Sequence, residues 1–239
     1  MATRFASHSG QSRTAPALRL LLREAGSFAA MRTMASFASP VVTQVKGDGR
    51  KVIVMPGFLA SDIATSRLRG TLNNAGFCAH GWGLGRNFGV KADLFERLDR
   101  RIDSIALDQK VTLIGWSLGG LIAREYAKHA PDRVRKVITL GTPFSGDMRA
   151  NNAWRLYEWV AGHKVDAPPI PAVPHEKPPV ETIALWSRRD GVVAPHSACG
   201  EPGETDITTE LRCSHMAFIA DPDAIRSICE AVLDQAPSP

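Results

Sequence analysis

The stretch Ile114-Gly115-Trp116-Ser117-Leu118-Gly119-Gly120 sets one serine between glycines two residues before and two residues after it. A serine hydroxyl becomes a nucleophile when a neighbouring base takes its proton. Glycines at that spacing suit a sharp, strained turn in which larger side chains would collide. Among seven histidines, His215 in Cys213-Ser214-His215-Met216 is the candidate base, because it falls between the last strand pattern and the last helix pattern. A base of this kind needs a carboxylate that fixes its tautomer. Asp190, in Ser187-Arg188-Arg189-Asp190-Gly191, is the first candidate, and Asp147 competes with it. Backbone N–H groups must hold the negative oxygen that forms on attack. The N–H of Leu118, directly after the serine, is one. The loop Pro56-Gly57-Phe58-Leu59 supplies the other, with Phe58 ahead of Leu59. Taken singly, each piece has an ordinary reading: a glycine-rich turn, a solvated loop histidine, an Asp-Gly turn.

These residues matter only if the fold brings them together. From Lys51 the chain alternates short apolar runs with helical patterns. Val52-Ile53-Val54-Met55 is apolar on both faces, as a buried parallel strand is. A helix is expected from a cap at Ser61 or Asp62 to about Ala75, then a strand over Phe77 to Trp82. Leu94, Leu98, Ile102 and Ile105 mark a helix face, and Val111 to Ile114 a strand running into Ser117. Further expectations are a helix from Leu118 to His129, strands over Val134 to Leu140, Thr182 to Trp186 and Thr205 to Arg212, and a helix from Pro222 to Leu233. Such alternation predicts an α/β fold, a mostly parallel sheet with helices on both faces. Ligands of such sheets bind outside the carboxyl ends of the strands, where the four chemical elements fall. The proline-rich stretch 146–179 is too long for an ordinary connection and reads as a short lid insertion.

The segments VIVMPGFLAS, GWGLGRN, LIGWSLGGLIARE, VITLGTPFSG, SRRDGVV and CSHMAF together resemble the α/β-hydrolase superfamily, bacterial lipase- and esterase-like members in particular. The resemblance covers roughly Lys51 to Leu233. It implies the α/β-hydrolase fold and serine chemistry on carboxylic esters, with Ser117, Asp190 and His215 in the order Ser, Asp, His. Two departures stand out: Pro56, where many lipases have histidine before that glycine, and a sheet that starts at Lys51 without the family's first hairpin. Phe58, Leu59, Trp116, Met216 and the lid's Trp154, Leu156 and Trp159 suggest an apolar acyl pocket, or equally a packed core. The substrate expected is a small-molecule ester or lipid. An acyltransferase using the same acyl-enzyme is the first alternative, and a non-catalytic binding protein on the same fold is the second.

Composition limits the rest. Of the formal charge of +5, nearly all sits before residue 41, where five arginines face only Glu24, so no basic recognition surface for nucleic acid remains. The four cysteines lack zinc-ligand spacing; free thiols are the first reading and a Cys199–Cys213 disulfide the second. Neither metal nor organic cofactor is expected. Residues 1–45 read as an N-terminal extension and 46–239 as the hydrolase domain. In the extension, Leu18, Leu21, Leu22, Ala25 and Ala29 form a helical stripe. Packing on the domain is its first reading, peripheral membrane contact the second and organellar targeting the third. A cytoplasmic, optionally membrane-associated protein is expected.

Overall fold

The apolar runs at Lys51–Met55, Val111–Trp116, Val134–Leu140 and Glu181–Trp186 become strands that are covered on both faces along nearly all of their length. The structure is a computed structural model and describes residues 16, 19–20, 24, 39–146, 169–170 and 172–233. Six strands are present among them: β1 (Lys51–Met55), β2 (Cys78–Gly81), β3 (Val111–Trp116), β4 (Val134–Leu140), β5 (Glu181–Trp186) and β6 (Ile207–Glu210). They form one all-parallel sheet in the order β2-β1-β3-β4-β5-β6. The helices are α1 (Ser66–Asn74), α2 (Leu94–Asp103), α3 (Leu118–His129), α4 (Pro195–Cys199) and α5 (Pro222–Val232).

Alternate strand residues enter opposite cores. Val52, Val54, Ile114, Ile138 and Ile183 pack with Leu68 and Leu72 of α1 and with Ile225 and Ile228 of α5. Ile53, Met55, Leu113 and Val137 pack on the other face with Leu98 and Ile102 of α2 and Ile122 and Tyr126 of α3. Right-handed crossovers require this division, because α1 carries the chain one way along the sheet while α2 and α3 carry it the other way. The reversal lies between β1 and β3, which creates the crevice that such sheets use for ligands. Val41 is buried in the α1/α5 core, so packing begins within the segment expected to be an extension.

Some boundaries differ from the sequence reading. The first helix starts at Ser66 rather than near Asp62. The Asp62 carboxylate instead accepts the N–H groups of Trp82 and Gly83, each at 3.0 Å, and ties the end of β2 to the turn before α1. Helix α4, opened by Pro195, was not expected. The expected lid falls mostly on residues 147–168, outside the described residues. Its described end is pinned to α3: Arg124 donates to the carbonyls of Pro174 (3.0 Å) and Glu176 (3.2 Å), and Lys128 to that of Val173 (2.8 Å). No described helix is long and apolar enough to cross a membrane.

Candidate active site

Strand β3 is buried along its whole length and delivers Ser117 directly to the sheet's carboxyl edge. Ser117 has φ 54° and ψ −121°, a conformation in which a residue with a side chain is strained. The strain is held by packing on every side. A Cβ on Gly115 would run into Gly119 and Gly120, and one on Gly119 would lie 2.7 Å from the Pro56 carbonyl oxygen and closer still to that of Met55. Gly120 is equally confined, by Thr142. The Ser117 N–H donates to Leu140 O at 2.8 Å, and the Thr142 hydroxyl donates to Ser117 O at 3.0 Å. The turn is thereby tied to the end of β4.

Asp190 follows β5 and is 1% exposed. Its Oδ1 accepts the N–H groups of Val192 and Val193, both at 2.8 Å, and its Oδ2 lies 2.7 Å from His215 Nδ1. A carboxylate only accepts, so Nδ1 carries the proton and Nε2 presents a lone pair. His215 is 2% exposed. Burial works against its charged form, but the charge and hydrogen bond of Asp190, aided by the Glu24 carboxylate, lift its pKa above the ordinary histidine value.

The serine turn and the histidine–aspartate pair meet at two places. The Trp116 indole donates to the His215 carbonyl at 3.1 Å, with ring centroids 5.6 Å apart. Gly141, next to the residue that receives the Ser117 N–H, is so close to the pair that a Cβ there would lie 2.8 Å from Asp190 Oδ2 and 3.1 Å from His215 Nδ1. The Ser187 hydroxyl completes the bracing by donating to Cys213 O at 2.6 Å, linking the loops that carry Asp190 and His215.

The loop after β1 lies against the same turn, since a Cβ on Gly57 would touch the Trp116 ring at 3.0 Å. Leu59 has φ 60°, and its N–H donates to Asn87 O at 2.7 Å, so Leu59 is not available as an oxyanion donor. Leu118 opens α3, where the first N–H groups of a helix have no partner within the helix, and Phe58, the other expected donor, lies in the loop between β1 and α1. Buried Asn87 holds the loop open: its side-chain amide donates to Pro56 O at 2.8 Å and its side-chain oxygen accepts from Gly89 at 3.1 Å. This answers the departure at Pro56, because the bracing comes from the glycine-rich loop rather than from a preceding histidine.

Other expected site residues are distributed differently. Trp116, offered as pocket lining, is 3% exposed and packs in the core behind the site. Met216 is half-buried and packs against Trp186 and its neighbours, and Leu59 is half-buried. Trp154, Leu156, Trp159 and Asp147 lie outside the described residues. The sequence reading missed Asn87, Gly141 and Glu24. Each carried a signal without a role: Asn87 and Gly141 lie in the GWGLGRN and VITLGTPFSG segments, and Glu24 is the single acid in a basic segment.

Comparisons with known proteins bear on the fold that carries these residues. The family model described as alpha/beta hydrolase fold matches residues 55–167. A curated relative, the pimeloyl-(acyl-carrier protein) methyl ester esterase of Photobacterium profundum, is 34% identical over 76 residues, 30% of this chain. The chain spans 28% of that relative's length and 10% of a bifunctional biotin-biosynthesis relative from Teredinibacter turnerae. Among solved structures, naproxen esterase of Bacillus subtilis superimposes with TM-score 0.55 at 11% identity, covering 86% of this chain and 96% of its own. The monoacylglycerol lipase of Paleococcus ferrophilus superimposes with TM-score 0.56 at 16% identity, covering 79% and 94%.

Proposed function

We propose, from the premise that this chain is a member of the α/β-hydrolase superfamily, that it is a serine hydrolase of carboxylic esters, esterase- or lipase-like in type. One observation carries the reading: a serine held at φ 54° on a strand end, next to Trp116, whose indole donates to the carbonyl of a buried histidine with its Nδ1 fixed by an aspartate. Ser117 Oγ attacks the ester carbonyl while His215 Nε2 takes its proton. The oxygen that gains the negative charge is held by the N–H groups of Leu118 and Phe58. Collapse of the tetrahedral intermediate breaks the bond to the alcohol, which leaves with the proton from His215. Water, deprotonated by the same Nε2, then attacks the acyl-enzyme, and the acid departs as Ser117 regains its hydrogen.

The reading is supported by the esterase names of the relatives and by the apolar character of Leu59 and Met216, which suits an apolar acyl group. The test is turnover of a p-nitrophenyl ester series from acetate to longer chains, with mass spectrometry of the acid-quenched enzyme. An acyl increment on the peptide containing Ser117 is expected. Turnover with no acyl-serine at any chain length would refute the acyl-enzyme route.

A further inference from the structure

Glu24 lies far from the acid and base in sequence, yet its carboxylate is 3% exposed and sits among their loops. Its Oε1 accepts the His215 N–H at 2.6 Å and the Gly191 N–H at 3.1 Å, and its Oε2 accepts the Met216 N–H at 3.1 Å. One acceptor-only group therefore satisfies three backbone donors, one next to the acid, one on the base and one just after it. The fit is close on the other side as well. A Cβ on Gly191 would lie 2.9 Å from Glu24 Cγ and would overlap the carbonyl of Leu20. Residues 19, 20 and 24 have helical backbone, and Leu20 and Glu24 are seated against Gly191 in the Asp190 loop. The glycine of the Asp-Gly pair is thus explained by what docks on it.

We propose that Glu24 is a positioning residue for the reaction, a clamp from the N-terminal segment that fixes the loops of Asp190 and His215 relative to each other. The proposal rests on His215 and Asp190 acting as base and acid in the reading above. Loops that follow different strands have no backbone ladder between them, and the Ser187 hydroxyl is one tie between them. Glu24 adds a second tie, through the backbone N–H groups of Gly191, His215 and Met216, and brings a negative charge close to the imidazole. The charged groups facing His215 are Asp190 at Nδ1 and Glu24 at its backbone; Trp116 and Phe218 present uncharged rings. A carboxylate there favours the imidazolium, so removing the charge lowers the pH at which His215 becomes a free base.

The experiment measures the second-order rate of fluorophosphonate labelling of Ser117 against pH, on the full chain, for wild type, Glu24→Gln, Glu24→Asp and Gly191→Ala. Thermal melts run alongside. In Glu24→Gln the amide nitrogen must face at least one of the three N–H groups. Labelling is expected to slow on the order of 10- to 100-fold, with the acidic midpoint moved to lower pH. Gly191→Ala, which pushes Leu20 and Glu24 away from the loop while leaving the carboxylate chemically intact, should move the midpoint the same way. Glu24→Asp, which keeps the charge, should recover the midpoint more than the rate. A role confined to stability would lower the melting temperature and leave rate and midpoint of the folded fraction unchanged; that result overturns the proposal. An adduct formed at the wild-type rate and midpoint in every variant overturns it too, while the ester-hydrolase reading stands. Absence of any adduct on folded wild type overturns both.

Discussion

Replacing Asp190 with asparagine turns the hydrogen-bond geometry of the site into a sharp test of the base. Oδ1 of Asp190 accepts two backbone N–H groups and Oδ2 receives the Nδ1 proton of His215. An asparagine must keep its oxygen on the two amides. Turning its NH2 group toward them leaves two buried donors facing a donor, at about 1–3 kcal/mol each, so the flipped amide is disfavoured by roughly 2–6 kcal/mol. The NH2 group then points at His215, and Nδ1 has to accept. The ring proton moves to Nε2, the atom that must take the proton from Ser117. An Asp-to-Asn change of this kind costs about 10⁴-fold in kcat in the serine-protease triad, or about 5 kcal/mol of barrier, and the same loss is expected here. Ester hydrolysis gives the rate, and nitrogen-15 NMR of the imidazole gives the tautomer. An Asp190→Asn enzyme within tenfold of wild type, or one still protonated at Nδ1, would refute the reasoning. Asp147→Asn should leave both readouts near wild type.

Further outcomes follow from the same contacts. Because the pKa of His215 is raised, and only its neutral form can act as base, activity should fall on acidification with a midpoint above 6.5; a kcat/KM profile against pH measures it. Asn87→Ala removes the brace on the loop after β1. It is expected to lower kcat of the folded fraction on the order of 10- to 100-fold, and to lower the melting temperature as well, since the Pro56 carbonyl and the Gly89 N–H lose a buried partner. Gly119→Ala forces a methyl group onto the Met55 and Pro56 carbonyls. Urea melts should show a loss of at least about 1–3 kcal/mol.

The centre of the sheet was legible because β1, β3, β4 and β5 are apolar runs rich in β-branched residues and the helices carry clear stripes. Burial on both faces produces both patterns. The roles of Ser117, Asp190 and His215 could be suggested for a related reason, since each follows a recognisable strand and so arrives at one edge. What stayed hidden is what braces them. Asn87 sits in a loop without periodicity, and its function depends on Pro56 and Gly89 coming within reach of one amide. Glu24 is 191 residues from the N–H it accepts from, and no local propensity records a contact of that range. Asp62 misled for the opposite reason. It has the chemistry of a helix cap, but a tertiary contact with Trp82 and Gly83 claims its carboxylate first. The same competition explains Trp116, an aromatic beside Ser117 whose indole serves the His215 carbonyl.

The central claim is that Ser117 forms the covalent intermediate. Its most direct measurement is fluorophosphonate labelling of folded wild type and Ser117→Ala, with the adduct mapped by peptide mass spectrometry and ester turnover followed in parallel. The account predicts a single adduct on Ser117, none on the alanine variant, and a fall in kcat on the order of 10⁶, the scale of nucleophile removal in serine enzymes. An unlabelled wild type, or a Ser117→Ala protein that keeps its turnover, would contradict it.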